Sequence, residues 1–435
     1  MLQENAELFH FWTTELSPWV ISDGVGKSMQ ALLSFDIFAW LFVIVVLRYD
    51  VPTFVLWIVS LVRPRAFSPP LWDAAWPPIS VIIAGRNPGP MIERTIRSVL
   101  ECGYPGVEII YVDDCSSDDS ASYGRSFERS GAVRVFASEQ HNGKPASLNI
   151  GIALARGELA FILDSDAEIE YGTLHRLAAY FTDPQVGGVA GNILLRNAKV
   201  NLLTRLQEVE YALNGSIARL WRSGIGLLPI LPGAASMFRL SLLRELGGYD
   251  SGLGDDTDMT IRIRKCGWRT KFALDARMWT DQPVSLLPLL AQRIRWARNM
   301  AKIRVLKHFD LINPFKYGLS NAVLAADNLA FRVILPIYAT VAILVRVFFH
   351  GSSEPVIVTA LYLYLVVLLL CRVLIANDIA RTPPLGDMIL IPLYPFYRAM
   401  LRTIEVVAIV RELLRIQPYH PYVPRRIWSA MEYRW

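Results

Sequence analysis

The stretch LAFILDSD, residues 159–166, is the clearest indication of the fold in this sequence. An apolar run ends abruptly in Asp164 and Asp166, two carboxylates separated by one residue. A short apolar run bounded by turn residues is typical of a buried strand. We therefore expect both carboxylates at the carboxyl end of a strand, on the rim of a sheet rather than in its core.

Similar apolar runs alternate with helical patterns on the amino-terminal side of this stretch. The predicted strands are ISVIIAG (79–85), VEIIYVDD (107–114), AVRVFAS (132–138) and LAFILDSD, and the predicted helices are MIERTIRSVLEC (91–102) and ASLNIGIALARG (146–157). This alternation indicates βαβ units, and hence an α/β fold with a mostly parallel sheet. Because such sheets bind ligands at the carboxyl ends of their strands, Asp113 and Asp114 are expected near Asp164 and Asp166.

The composition indicates a protein that is only partly embedded in a membrane. Of the 435 residues, 53% are hydrophobic and 19% are charged, a mixture unlike an ordinary soluble enzyme or a purely membrane protein. The net charge of +5 is modest and the basic residues form no tail, so nucleic acid is not expected as a partner. The four scattered cysteines have no metal-ligand spacing and fit a reducing compartment.

Apolar segments flank the predicted soluble domain on both sides. Residues 31–47 predict one spanning helix, 332–349 and 355–377 predict two more, and 388–410 either spans or lies in the interface. Arginines follow the first segment and acids precede it, so the positive-inside bias places the next domain in the cytoplasm. The predicted organisation is an amino-terminal tail and span (1–62), a catalytic domain (63–288), interfacial amphipathic helices (289–330), a membrane region (331–410) and a basic tail (411–435).

The carboxylates of DSD suit a divalent metal. Mg²⁺ and Mn²⁺ prefer oxygen ligands and are often bound through one or two carboxylates together with substrate phosphates. Taken alone, DSD fits better a turn whose aspartates cap the next helix.

Two further segments suit a nucleotide. Asp113 and Asp114 could accept hydrogen bonds from a nucleobase imide or a ribose hydroxyl, although an Asx-turn explains them as well. Lys144 follows a glycine in HNGKPASLN (141–149), just before a predicted helix. A lysine at that point suits a phosphate or ribose, and a solvated lysine is the alternative.

The segment GGYDSGLGDDTDMTIRIRKCGW (247–268) supplies a candidate general base. Thr257 and Asp258 could simply begin the helix that follows. Asp256 lies beside a second acid, so a raised pKa would suit it to accept a proton.

The segment LLAQRIRWARNMAKIRVLK (289–307) predicts a basic amphipathic helix. Trp296 and Met300 fall on its apolar face, while Arg293 and Arg298 lie largely off it. A helix of this kind next to membrane spans is expected on the anionic inner leaflet. That interpretation does not explain the grouping of Gln292, Arg295 and Trp296.

Taken in order, VDDCSSD, DSD, GDD and QRIRW resemble the motifs of the membrane-embedded glycosyltransferases of family 2, which include cellulose, chitin, hyaluronan and poly-N-acetylglucosamine synthases. The resemblance covers roughly residues 78–300 and the flanking membrane segments. It implies a GT-A fold on the cytoplasmic face of the cell membrane, in a multi-pass protein. It also implies inverting transfer from a UDP-sugar to the growing end of a β-linked polysaccharide, coupled to export.

The resemblance further implies a role for each matching residue. Asp113 and Asp114 would contact uridine, and Asp164 and Asp166 would bind Mg²⁺ or Mn²⁺ on the diphosphate. Asp256 would be the base. Gln292, Arg295 and Trp296 would hold the acceptor end and the diphosphate at the mouth of a membrane channel, and the loop LPGAASMFR (231–239) would cradle the acceptor sugar.

Two departures and two alternatives remain at this point. Ala84 and Arg86 stand where the family usually has proline and tyrosine, and Cys115 stands where glycine is usual. One alternative is transfer of a single sugar to a lipid acceptor, as in ceramide glucosyltransferases. The other is a transporter or scaffold with an inactive domain. Export or regulatory subunits are possible further partners, and the motifs leave the donor sugar open.

Overall fold

A computed structural model describes residues 43–414 and 416, apart from 45, 64, 73–74, 251–253, 341–354 and 381–387. Nearly all of the predicted span 31–47 and most of the predicted basic tail 411–435 therefore lie outside the described residues. The fold below concerns the described part of the chain.

The strands of this part form one mixed sheet. They are β1 (Ile79–Gly85), β2 (Val107–Asp113), β3 (Val133–Ala137), β4 (Leu159–Asp164), β5 (Glu168–Ile169), β6 (Val186–Leu195), β7 (Ala235–Arg239) and β8 (Arg269–Thr280). Their order across the sheet is β3-β2-β1-β4-β7-β6-β8-β5. The four strands predicted from the sequence all form, within two residues of their predicted bounds.

The expected parallel pairing is confirmed for β1 to β4, whereas in the other half of the sheet only β6 and β8 pair in parallel. β1 pairs in parallel with β2 and β4, and β2 pairs in parallel with β3. β7, however, is antiparallel to both β4 and β6. The direction of a strand depends on the side from which the preceding loop enters, and a five-residue strand such as β7 contains no sign of that side.

Helices cover both faces of the sheet and continue beyond it. They are α1 (Val51–Val62), α2 (Met91–Leu100), α3 (Ser120–Arg125), α4 (Lys144–Leu154), α5 (Thr173–Ala178), α6 (Leu202–Glu210), α7 (Ala218–Gly224), α8 (Leu240–Glu245), α9 (Asp255–Lys265), α10 (Leu286–Met300), α11 (Pro314–Tyr317), α12 (Leu319–Leu329), α13 (Pro355–Ala380) and α14 (Tyr394–Leu413). Wider π-helical turns continue three of them, at Tyr211–Ile217, Ala301–Lys307 and Ala330–Ile334.

The central strands are buried on both faces. Along β1, Ile82 and Ala84 pack into a core shared with α4, whereas Val81 and Ile83 pack into a second core. Successive side chains of a strand point to opposite faces, so one apolar run supplies both layers. A near-continuous apolar strand is what a sheet covered on both sides requires.

Two helices of the described chain are long and apolar enough to cross a membrane, namely the continuous helix Leu319–Thr340 and the segment Tyr362–Ala380. The second coincides with most of the span predicted at 355–377. Its carboxyl-terminal end is fixed to the sheet, since Arg277 of β8 donates a hydrogen bond to the Ala380 carbonyl oxygen over 2.8 Å. The membrane-like part of the chain therefore packs directly on the α/β domain.

The basic side chains of helix α10 do not point where the sequence predicted. Arg293 and Arg298 are buried and form ion pairs with Glu210 and Glu412, at 2.8 and 2.9 Å. Trp296, by contrast, retains 40% exposure. The prediction of a basic face on the lipid surface is therefore wrong for these arginines, because distant acids neutralise them inside the protein.

Candidate active site

The DSD turn lies at the edge of the sheet where β1, β2 and β4 end. Asp164 is the last residue of β4 and pairs in register with Ala84, while Gly85 pairs with Asp113. A Cβ atom at Gly85 would lie only 2.6 Å from the Ser165 hydroxyl oxygen. Glycine is therefore required at the end of β1 for the DSD turn to approach it this closely.

The two acids at the end of β2 bond to their own chain. Asp113 accepts hydrogen bonds from the Ser116 amide, at 3.0 Å, and from the hydroxyls of Ser116 and Tyr111. Only 3% of the residue is exposed. This geometry is that of the Asx-turn alternative, and the predicted contact of Asp113 with uridine stays a prediction.

Asp114 holds the turn that precedes α4. It accepts hydrogen bonds from the amides of Asn142 and Gly143, at 2.7 and 2.8 Å, and its other contact is His141 Nδ1 at 2.7 Å. Lys144, which follows Gly143, begins α4 and donates a hydrogen bond to Asp164. Asp114 therefore positions the lysine that reaches the DSD turn, whatever contact it makes with a nucleotide.

The candidate base lies beside this lysine. Asp255 and Asp256 are the first residues of α9, and a Cβ atom at Gly233 would lie 3.4 Å from Lys144 Nζ and 3.8 Å from Asp256 Cβ. The DSD turn, the turn before α4, the loop before β7 and the start of α9 thus meet in one place. Three of the predicted site residues, Lys144, Asp164 and Asp256, come together here.

This cluster of carboxylates has an excess of negative charge. Burial, and then the neighbouring Asp164, raises the pKa of Asp166 to about 6. Burial and the adjacent Asp256 likewise raise the pKa of Asp255 to about 6, and burial raises the pKa of Asp256. Burial alone would lower the pKa of Lys144, but the Asp164 and Asp255 carboxylates raise it above its usual value. The lysine therefore stays charged and neutralises only part of the cluster.

The donor set fits a divalent cation that arrives with a diphosphate. Asp164 and Asp166 offer hard oxygen ligands in a site that lacks positive charge. In the described ranges no three or more histidine, cysteine or acidic side chains come close enough to hold a metal by themselves. Mg²⁺ and Mn²⁺ often take one or two protein carboxylates and complete their shells with phosphate and water.

The strand β5 connects the DSD turn to helix α10. It begins two residues after Asp166 and pairs with the end of β8. Arg196 bridges the same two segments, since it bonds to Glu168 and, at 2.6 Å, to Asp281. The chain then continues to Gln282, whose side chain accepts a 3.4 Å hydrogen bond from Gln292. Gln292 is therefore tied to the DSD side of the sheet.

The remaining residues of the QxxRW motif lie on the same helix. Trp296 is 40% exposed, and the Arg293 guanidinium lies 4.4 Å from the centre of its ring. Arg295 is half-buried. In the part of the chain that the structure describes, the hydrogen bond of Gln292 goes to Gln282 rather than to Asp164 or Asp256. The predicted contacts of these three residues with an acceptor stay predictions.

The carboxylate of Glu210 fixes the orientation of α10. It bonds to Arg293 at 2.8 Å, to the Tyr397 hydroxyl at 2.9 Å and to Arg398 at 2.6 Å. These partners belong to α10 and α14, so one acid at the end of α6 joins three helices. Glu210 was not predictable from the sequence because its partners lie far away along the chain, where no local spacing reveals them.

Arg86 and Cys115, which both depart from the family pattern, contact each other at this edge of the sheet. Cys115 has a φ of 58°, a left-handed conformation that glycine adopts without strain. Its carbonyl oxygen accepts a 3.4 Å hydrogen bond from Arg86 Nε. Asn87 completes the contact, because its side-chain oxygen accepts a hydrogen bond from the Ser117 amide at 2.8 Å. Asn87 also has a positive φ, of 55°, and was not predicted from the sequence.

Comparisons with known proteins agree with this arrangement. Residues 80–247 match the family model described as glycosyl transferase family 2. Over 249 residues the chain is 29% identical to an N-acetylglucosaminyltransferase of Rhizobium meliloti, and the match covers 54% of this chain and 58% of that protein. Over 244 residues it is 29% identical to the poly-beta-1,6-N-acetyl-D-glucosamine synthase of Staphylococcus epidermidis, and the match covers 55% of this chain and 59% of that protein. The match thus spans less than two thirds of these relatives.

The fold is similar to that of a solved mannosyltransferase from Pyrobaculum calidifontis, whose structure contains GDP-Man and Mn²⁺. The TM-score is 0.53 at 21% identity, and the match covers 84% of this chain and 96% of that protein. The α/β domain therefore has a GT-A-like fold with a mixed sheet, as the motifs implied.

Proposed function

Since residues 80–247 are a glycosyltransferase family 2 domain, we propose that this protein transfers a sugar from a UDP-sugar to the growing end of a β-linked polysaccharide. The transfer is inverting, depends on a divalent metal and takes place at the cytoplasmic face of a membrane. The candidate spans of the described chain would lead the product away from the site.

The observation that supports this proposal most directly is the meeting of Lys144, Asp164, Asp256 and Gly233 at one edge of the sheet. Transfer from a nucleotide diphosphate needs a cation near the leaving group and a base near the acceptor. The Lys144 ammonium and the DSD carboxylates supply the first environment. Asp256, which lies next to the same glycine as Lys144, supplies the base near the acceptor.

The chemistry of each side chain follows from its environment. The raised pKa of Asp256 makes it a better proton acceptor for the attacking hydroxyl, which must approach the anomeric carbon from the face opposite the leaving group. Asp164 and Asp166 would hold Mg²⁺ or Mn²⁺, which would neutralise the charge that develops on the departing diphosphate. Gly233 leaves room for the acceptor beside Asp256, because its position has no side chain.

The relatives favour N-acetylglucosamine as the donor sugar. Both curated relatives described above have names that refer to N-acetylglucosamine, and one of them makes a polymer of it. We therefore propose UDP-N-acetylglucosamine as the first donor to test.

The test is UDP release by the full chain in lipid nanodiscs with Mn²⁺ and UDP-N-acetylglucosamine, UDP-glucose or UDP-glucuronic acid, with sizing of the product. We expect release with one donor and a product of high molecular weight. Asp256→Asn should abolish release while the variant still binds UDP. Asp183→Asn, which changes a half-buried acid at the opposite end of the strands, should leave release unchanged.

Two results would contradict the proposal. A product with a single sugar on a lipid would assign the protein to the glycolipid-forming enzymes. Equal release by the wild type and by Asp256→Asn would remove Asp256 from the reaction.

A further inference from the structure

Arg219 on helix α7 is a half-buried arginine without a partner for its guanidinium. In the part of the chain that the structure describes, this group forms neither a hydrogen bond nor an ion pair. Burial lowers the pKa of Arg219, whereas the nearby Tyr211 and Asp256 raise it. Burying a guanidinium is costly unless hydrogen-bond acceptors meet its donors. The side chain is therefore available to a ligand that reaches the candidate base.

The second arginine beside Asp256 is already held by the protein. Arg304 interacts electrostatically with Asp256. It donates hydrogen bonds to the Asn328 side-chain oxygen, at 2.5 Å, and to the Pro229 carbonyl oxygen, at 3.0 Å. Its donors therefore serve the fold, whereas those of Arg219 remain unused.

The backbone that carries Arg219 is fixed to the sheet on both sides of this residue. Ser216, three residues earlier, donates a 2.8 Å hydrogen bond to the side chain of Asn192 in β6, which is fully buried. Ser223, four residues later, accepts a 2.9 Å hydrogen bond from the amide of Phe272 in β8. A side chain on so firmly held a segment is preorganised, which lowers the entropy cost of binding a ligand.

The position of Arg219 relative to Asp256 indicates which substrate it meets. Lys144 interacts with Asp256 and bonds to Asp164, so it lies on the side of the DSD turn. Arg219 interacts with Asp256 and with Arg332, which belongs to a candidate span. In the proposed reaction the attacking hydroxyl approaches from the face opposite the diphosphate. Arg219 therefore lies on the side of the base where the acceptor would lie.

Tyr211 provides an apolar surface on the same side. This half-buried residue begins the π-helical turn Tyr211–Ile217, and turns of this type often occur at functional sites. A Cβ atom at Gly215 would lie 3.7 Å from the Tyr211 ring, so a side chain there would cover part of it. Sites for small ligands combine aromatic surface with a few polar groups. Tyr211 and Arg219 together supply both kinds of contact.

We propose that Arg219 and Tyr211 bind the terminal sugar of the acceptor saccharide, through hydrogen bonds from the guanidinium to neutral sugar oxygens and through packing of the ring on the sugar. The inference rests on the proposed function, because it requires a saccharide acceptor at Asp256. It extends that function by assigning residues to the acceptor. A guanidinium has five donors and no acceptor, so hydroxyl and N-acetyl carbonyl oxygens are suitable partners.

The experiment measures acceptor binding separately from donor binding. The full chain, in nanodiscs of phosphatidylcholine, is titrated with β-1,6-linked and β-1,4-linked N-acetylglucosamine hexamers and, in parallel, with UDP. For the hexamer that the wild type binds more tightly, Arg219→Gln should weaken binding by about tenfold or more, as the loss of a hydrogen bond from a charged group predicts. The affinity for UDP should stay unchanged.

Matched variants distinguish a direct contact from a general effect of charge. Arg219→Lys retains one donor group and should recover part of the affinity. Arg222→Gln makes the same change about one turn later on α7, where the arginine lies 3.8 Å from Asp327, and should leave hexamer binding unchanged. Tyr211→Phe keeps the ring and should bind the hexamer as the wild type does, whereas Tyr211→Leu should bind it more weakly. Melting temperatures confirm that each variant is folded.

Three outcomes would overturn the inference. They are an absence of hexamer binding by the wild type, equal affinity in the wild type and Arg219→Gln, and a loss in Arg222→Gln as large as in Arg219→Gln. UDP release is measured separately. Its absence with every donor would contradict the proposed function, while hexamer binding that depends on Arg219 would still establish the saccharide site.

Discussion

Asp258 shows how one short acidic segment divides into two environments. Asp255 and Asp256 face the Lys144 side chain, whereas Asp258 is buried and bonds to His308 Nε2 at 2.8 Å and to Lys307 Nζ at 2.6 Å. A helix turns by about 100° per residue, so acids two or three positions apart face different surroundings. The GDDTD segment is therefore part of the site at one end and part of the internal ion pairs at the other.

Asp258→Asn should strongly destabilise the protein at neutral pH. Removing one partner of a buried ion pair leaves the others uncompensated, at a cost of about 3–5 kcal/mol in the free energy of unfolding. Burial alone would raise the pKa of Asp258, but the hydrogen bonds from His308 and Lys307 lower it below its usual value. Its stabilising contribution is therefore present above the unfolded pKa of about 3.9 and lost as the pH falls through the lower folded pKa.

Thermal unfolding of both proteins in detergent at pH 7 and below pH 4 measures this effect. The difference between wild type and Asp258→Asn should narrow at the lower pH. Asp310→Asn, which changes a more exposed partner of Lys265, should cost no more than about 1 kcal/mol. A difference that is the same at both pH values would contradict the assigned ion pair.

Cys115→Gly should leave the fold unchanged and raise its stability slightly. The left-handed conformation costs a residue with a Cβ atom about 1–2 kcal/mol, and the added flexibility of glycine in the unfolded chain offsets part of the gain. We expect a net gain of about 1 kcal/mol or less, measured as the melting temperature. Cys266→Gly is the matched control, because Cys266 has a φ of −81° and should gain nothing.

At the scale of elements, the sequence predicted helix α10 but not the side it buries. The spacing of Trp296 and Met300 is truly helical, and an amphipathic helix follows from it. The acids that pair with Arg293 and Arg298, however, lie 83 and 114 residues away in the sequence. No local pattern shows whether an arginine faces water, lipid or a distant carboxylate. The strands β1 to β4 were predictable because apolar runs ending in polar turns need no such distant information.

Glu210→Gln should impair the use of the acceptor more than the use of the donor. The variant leaves Arg293 and Arg398 without their shared counter-charge and frees the helix that presents Trp296. If the proposed function is correct, we expect the acceptor KM to rise by about tenfold or more and the donor KM to change little.

Two further variants separate positioning by Glu210 from a loss of folding. Tyr397→Phe removes one charge-assisted hydrogen bond to the same carboxylate but no charge, and should cost about 1.5–3 kcal/mol of stability. Glu210→Asp keeps the charge and should recover part of the acceptor affinity. Equal loss of donor and acceptor affinity in Glu210→Gln would show that the carboxylate acts on the fold alone.

At the scale of the whole molecule, the site joins two differently built halves of the sheet. The half formed by β1 to β4 provides Asp113 and Asp164 and was predictable from the sequence. The half formed by β5 to β8 connects the DSD turn to α10. Its mixed strand directions were not predictable from the sequence. Arg196, whose role depends on the second half, was therefore not predicted from the sequence.

Removal of divalent cations should stop the reaction if Asp164 and Asp166 bind a metal. UDP release should be lost in EDTA and recovered with Mn²⁺ or Mg²⁺. Asp166→Asn should raise the Mn²⁺ concentration for half-maximal activity by about tenfold or more, because it removes one of two charged ligands. Asp119→Asn, an exposed acid on the neighbouring loop, should leave that concentration unchanged. Full activity in EDTA would rule out this metal site.

The Glu210 carboxylate also bears on the order in which the chain folds. Arg293 leaves the ribosome 83 residues after Glu210, and Arg398 leaves it 188 residues after Glu210. Domains begin to fold during synthesis, so the α/β layers can form while this acid still lacks both of its basic partners. A nascent chain stalled before α14 should therefore remain protease-sensitive around α6 and α10, and translation of α14 should complete the core.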